Sequence, residues 1–79
     1  MHRTNYLIKA IKEVFKQELK IKVNSDSKLL DLKAWDSLGN FNVLLACEKK
    51  FKIKFSESEF SRLNSFKGIL EVVKKKTKK

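Results

Sequence analysis

Near the middle of the chain, Asp36-Ser37-Leu38 sets a hydroxyl between a carboxylate and a leucine, where an apolar segment begins. A serine can attack a substrate itself or accept a group that another protein transfers to it. Attack requires a base within hydrogen-bond reach, and the single histidine, His2, stands at the chain's beginning. Cys47 is alone, so the chain offers neither a disulfide framework nor a zinc site, and a buried packing role is expected for it. No glycine-rich phosphate loop is present. Helix capping is the ordinary reading of the Asp36-Ser37 pair, and enzymatic activity of the chain by itself is not expected.

Seventy-nine residues form one domain, 1–79. A chain of this size buries only about 60–65% of the surface its unfolded form exposes, so one small core is the limit. No apolar run reaches the roughly 20 residues of a membrane span, and Met1-His2-Arg3 leads into an amphipathic stretch rather than a signal peptide. A cytoplasmic location is the expectation. The net charge is +10, from 19 basic and 9 acidic side chains. Without Lys74, Lys75, Lys76, Lys78 and Lys79 of the tail, 14 basic residues face 9 acidic ones, a net +5. Such a balance suits an acidic or phosphate-rich partner, or simply a solvated lysine-biased surface.

Helical spacing of Leu7, Ile8, Ile11, Val14, Phe15 and Leu19 predicts a first helix over about 5–20, with Lys9, Lys12, Lys16 and Lys20 on its wet side. The stretch "IKVNSDSKLLDLKAW" is a long loop, expected to be pinned by Leu29, Leu30, Leu32 and Trp35 packing into the core. Asp36 is a good N-cap for a second helix over 37–50. Val43, Leu44, Cys47 and Phe51 would face inward, leaving Leu38, Phe41 and Leu45 around the serine and Asn40 and Asn42 pointing outward. "FKIKF" reads as an extended connector. Ser56 and Glu59 match a capping box for a short helix over 57–63 that turns Phe60 and Leu63 inward. Ser65 caps a last helix over 66–75, with Phe66, Ile69, Leu70 and Val73 inside and a basic, frayed tail over 74–79. The expected fold is all-α, a small four-helix bundle with a long first connection.

Capping accounts for Asp36 and Ser37 taken singly. Taken with the long loop before them, the over-apolar helix ended by "EKKF" and the short capped helix after it, they form a pattern that resembles the acyl carrier and peptidyl carrier protein family. The similarity covers nearly the whole chain and is firmest from Leu30 to Val73. It implies that Ser37 carries 4'-phosphopantetheine, transferred from coenzyme A by a phosphopantetheinyl transferase. Asp36 and Leu38 complete the attachment motif, with Asp36 helping to fix the helix start. The arm's thiol would hold an acyl or aminoacyl group as a thioester. Leu38, Gly39, Phe41 and Leu45 would form a docking patch for the enzymes that load and unload it, Gly39 giving a partner's backbone room. Packing of those apolar residues against the 21–35 loop is the competing reading. The implied protein is a monomeric, non-catalytic carrier with no membrane span.

Two departures from the family pattern carry information. Lys33-Ala34-Trp35 replaces the glycine that many carriers place two residues before the aspartate. Fatty-acid carriers are usually acidic along the second helix, whereas this one offers only Asp36 and Glu48 and ends on Lys49-Lys50. The expectation is a specialised carrier in lipid, polyketide, surface-polysaccharide or cell-wall chemistry, poorly matched to enzymes with basic docking sites. Tryptophan before D-S-L-G resembles stand-alone carriers of surface-polysaccharide or secondary-metabolite pathways, and "SEF-S-R" faintly resembles carriers of D-alanine. Two alternatives stand beside this. A carrier-like module that never receives the arm would keep the same surface. A small basic nucleic-acid binder would use the lysine stripe, but Arg3 and Arg62 are the only arginines and Asp36-Ser37-Leu38 would go unused.

Overall fold

The computed structural model describes residues 2–77; the side chains of His2 and Arg3, and Lys78 and Lys79 of the tail, lie outside it. Four helices follow in order: α1 (His2–Leu19), α2 (Ser37–Phe51), α3 (Glu57–Arg62) and α4 (Phe66–Thr77). Among the described residues no strand forms, and the connector after α2 is extended coil. No helix there is long and apolar enough to cross a membrane.

The apolar periodicity of α1 becomes one wall of the core, with Leu7, Ala10, Ile11, Val14 and Phe15 buried and Lys9, Lys12, Lys16 and Lys20 exposed. Lys20 ends α1 in the left-handed region (φ 57°), its N–H donating to the Lys16 carbonyl at 2.9 Å. This arrangement satisfies a carbonyl that the helix end would otherwise leave unpaired. Val43, Leu44 and Cys47 of α2 and Phe66, Ile69 and Val73 of α4 supply the facing walls. Phe15 and Trp35 pack edge to face, ring centroids 4.6 Å apart at 72°, an arrangement favoured by the ring quadrupoles.

The long first connection is held mainly by backbone bonds. Leu29 N–H donates to the Asn64 carbonyl at 2.8 Å and Phe66 N–H to the Ser27 carbonyl at 3.0 Å, tying the loop to the α3–α4 junction. Val23 and Trp35 bury their side chains, and Leu29 and Leu32 pack against the core half-buried. Leu30 does not: it is 72% exposed with φ 73°. Its N–H donates to the Trp35 carbonyl at 2.8 Å, and that bond fixes a backbone turn which carries the side chain outward.

Asn40 corrects a second expectation, because it is buried rather than outward-facing. Its Oδ1 accepts the Trp35 Nε1–H at 2.9 Å, and its Nδ2 donates to the Leu63 carbonyl at 2.7 Å. A buried indole N–H requires such an acceptor. Gly39 is also buried, so the room it leaves serves the chain itself and not a partner. A Cβ there would lie 2.6 Å from the Ala34 carbonyl oxygen and 3.0 Å from Leu19 Cδ2.

The capping box of α3 is complete. Glu59 N–H donates to Ser56 Oγ at 3.2 Å, and Ser56 N–H donates to Glu59 Oε1 at 2.8 Å. That backbone N–H, with Lys76 Nζ 3.1 Å from the same oxygen, holds the Glu59 carboxyl below its ordinary value. Lys76 belongs to a helix that continues to Thr77, where the sequence suggested a frayed tail from residue 74. Gly68 N–H donates to Ser65 Oγ at 3.0 Å, capping α4.

Three outcomes follow from this packing. Phe66→Ala and Val43→Ala should each lower unfolding free energy by about 2–5 kcal/mol, a large part of the roughly 4–12 kcal/mol available to a domain of this length; urea melts measure both. Gly39→Ala should destabilise by about 1–2 kcal/mol, because a backbone oxygen cannot rotate away and the clash outweighs alanine's helix preference; an unchanged melting temperature would contradict the close approach. Burial pushes the Cys47 thiol up to about 12, Lys50 opposing only weakly. Below the ordinary value both folded and unfolded chains keep the proton; from there to about pH 12 only the folded chain does, so this contribution to stability is lost as pH rises. A thiol reagent at pH 8 should therefore label Cys47 only as fast as the protein unfolds. Immediate labelling of the native chain is the contrary result.

Candidate functional site: an exposed serine at the start of a helix

Trp35, fully buried against Phe15, anchors the chain immediately before α2. Asp36 follows in extended backbone (φ −104°, ψ −170°) and accepts the Gly39 N–H on Oδ1 at 2.8 Å. Its carbonyl accepts the Asn40 N–H at 2.8 Å, the first turn of the helix. Ser37 is the first helical residue and is exposed. The hydroxyl therefore leaves the surface between two buried positions, Trp35 and Asn40, whose mutual hydrogen bond fixes its backbone.

The N–H groups of Ser37 and Leu38 precede any intrahelical partner, and the positive end of the helix dipole lies there. A phosphodiester on Ser37 would meet both of these favourable features. The Asp36 carboxylate opposes an added anion, but one of its oxygens is committed to Gly39 N–H. An exposed oxygen, two free donors and a helix N-terminus fit a serine-linked phosphopantetheine.

Beside the serine, Leu38 is 69%, Phe41 46% and Leu45 40% exposed. Their i, i+3 and i+7 spacing makes a single stripe along the outer face of α2. Phe41 rests against Phe60 of α3, ring centroids 5.2 Å apart. Gly39, expected beside these residues, is turned inward with Asn40. The stripe is poorer in free carboxylate than the sequence alone suggests: Glu48 Oε2 accepts the Phe55 N–H at 2.7 Å. Two features of this region were not anticipated. The need of buried Trp35 for an acceptor was a signal for Asn40; nothing in the sequence flagged the exposure of Leu30.

No protein-family profile matches the chain. Comparison with curated proteins finds similarity to the acyl carrier protein of Buchnera aphidicola subsp. Schizaphis graminum, 34% identical over 79 aligned residues that cover 95% of this chain and 99% of the relative. Identity at that level over nearly the full length of both chains, on a four-helix all-α fold, shows that the chain belongs to the acyl carrier protein family.

Proposed function

We propose that Ser37 is the attachment point of 4'-phosphopantetheine and that the protein carries an acyl or aminoacyl group as a thioester on that arm. The observation that carries this reading is the exposed Ser37, held at the first turn of α2 beside free backbone N–H groups and an exposed apolar stripe. In the loading step, a bond forms between Ser37 Oγ and the phosphorus of coenzyme A that bears the pantetheine. The phosphoanhydride bond breaks and the nucleotide half leaves. The hydroxyl proton passes to a base on the transferase, since no histidine of this chain lies near Ser37 in sequence. When bound, the arm supplies the thiol that holds the cargo. The chain's own residues position it: Asp36 caps the helix, and Trp35 and Asn40 hold the turn.

On this reading the chain itself catalyses nothing and presents its cargo to enzymes in the cytoplasm, where coenzyme A is available. Leu38, Phe41 and Leu45 are the docking residues. A specialised set of partners is favoured, because Asp36 and Glu48 each spend an oxygen on a backbone N–H and Lys49 and Lys50 end the helix. Enzymes that steer to carriers through basic surfaces find few free carboxylates here.

Incubation with coenzyme A and a broad-specificity phosphopantetheinyl transferase should add a single phosphopantetheine by intact mass. Ser37→Ala should abolish the addition while leaving the melting curve nearly unchanged, because the hydroxyl is exposed. An unmodified parent chain with several transferases, or modification that persists in Ser37→Ala, would overturn the assignment.

A further inference from the structure

Leu30 combines two unfavourable features that the rest of the fold does not relieve. A branched side chain at φ 73° is strained, because its Cβ crowds the neighbouring carbonyl oxygen. The other left-handed residues, Lys20 and Lys52, end helices, where that conformation closes the last turn. Leu30 ends none. The side chain so displayed is apolar and 72% exposed, more than any other large hydrophobic residue among those described.

The backbone around it is firmly held. Lys28 N–H donates to Asp31 Oδ2 at 2.9 Å, and the N–H groups of Leu29, Leu30 and Asp31 donate to the carbonyls of Asn64, Trp35 and Lys28 at 2.8, 2.8 and 3.0 Å. Four successive donors are engaged, so the leucine is displayed by a rigid segment. The acceptor for Leu30 is the carbonyl of Trp35, two residues before Ser37. A strained, ordered and exposed apolar side chain, tied through its backbone to the residue two before Ser37, is the form of a preorganised binding contact.

We propose that Leu30 is a docking contact for the phosphopantetheinyl transferase, seated in an apolar recess of that enzyme; this rests on the assignment of Ser37 above. The transferase is the occupant because its chemistry takes place at Ser37 Oγ itself. Its active site must close over the start of α2, where the Trp35 carbonyl and its partner Leu30 lie. The exposed charges around Leu30 balance, Asp31 and Asp36 against Lys28 and Lys33, so the matching recess is apolar.

The test compares the parent chain with Leu30→Asn and Leu30→Gly, residues that accept positive φ. Tyr6→Asn serves as control. Tyr6 is another exposed hydrophobic residue, but it lies beside Lys50, about 20 Å along α2 from Ser37. With coenzyme A and a broad-specificity transferase, kcat/KM followed by intact mass should fall roughly tenfold in both Leu30 variants and stay unchanged in Tyr6→Asn. Melting temperatures of the Leu30 variants should equal or exceed the parent's. Transfer within threefold of the parent, or a melting temperature that drops with the rate, overturns the role of Leu30 while leaving Ser37 assigned. Failure of the parent chain to accept the arm overturns the assignment of Ser37 and this proposal with it.

Discussion

The indole N–H of Trp35 lies fully inside the protein and has one acceptor there, the side-chain oxygen of Asn40. Without it a buried donor would stand unpaired, at a cost of about 1–3 kcal/mol. Asn40 in turn spends its amide on the Leu63 carbonyl, so one side chain links the end of the long loop, the first turn of α2 and the exit from α3. The indole also packs against Phe15, which brings α1 into the same arrangement. Four segments thus meet at one polar contact in an otherwise apolar core. Ser37 owes its position to that contact, since the residues two before and three after it are fixed in the interior while its own side chain faces water.

The two sides of α2 divide the labour of the protein. Val43, Leu44 and Cys47 hold the bundle together, and Leu38, Phe41 and Leu45 remain outside although burying them would be favourable. Apolar area left exposed in this way is what a partner surface can cover. The carboxylates that would normally colour such a helix acidic are few and already engaged with backbone N–H groups. Positive charge is spread along the chain, with runs on α1, at the end of α2 and in the last turn of α4. If the stripe is the docking surface proposed above, its recognition rests on shape and apolar contact as well as on charge.

Much of this was legible in the residues. The 3.6-residue periodicity of α1 and α4, the Asp36 cap and the Ser56–Glu59 capping box are local signals, and local signals survive folding when nothing distant competes with them. The outward stripe of α2 followed from counting more apolar residues than one face can bury. Asn40 and Gly39 were illegible for a different reason. Their surroundings come from Leu63, Leu19 and Ala34, and an asparagine or glycine carries no mark of which distant group it will meet. Leu30 was misread because composition argues for burial, whereas the sign of its φ is set by a hydrogen bond to a carbonyl five residues away.

The short helix α3 contributes no fully buried residue of its own. Phe60 leans on Phe41 and Phe55, and the Glu59–Lys76 pair and the Leu63 carbonyl tether it at its sides and end. A segment with so little interior contact opens at far lower free energy than the bundle as a whole. Its amides would exchange with heavy water before those of α1, α2 and α4. One of its two aromatic catches, Phe41, belongs to the stripe proposed above as the docking surface, so a partner pressing there would bear on the latch of this segment.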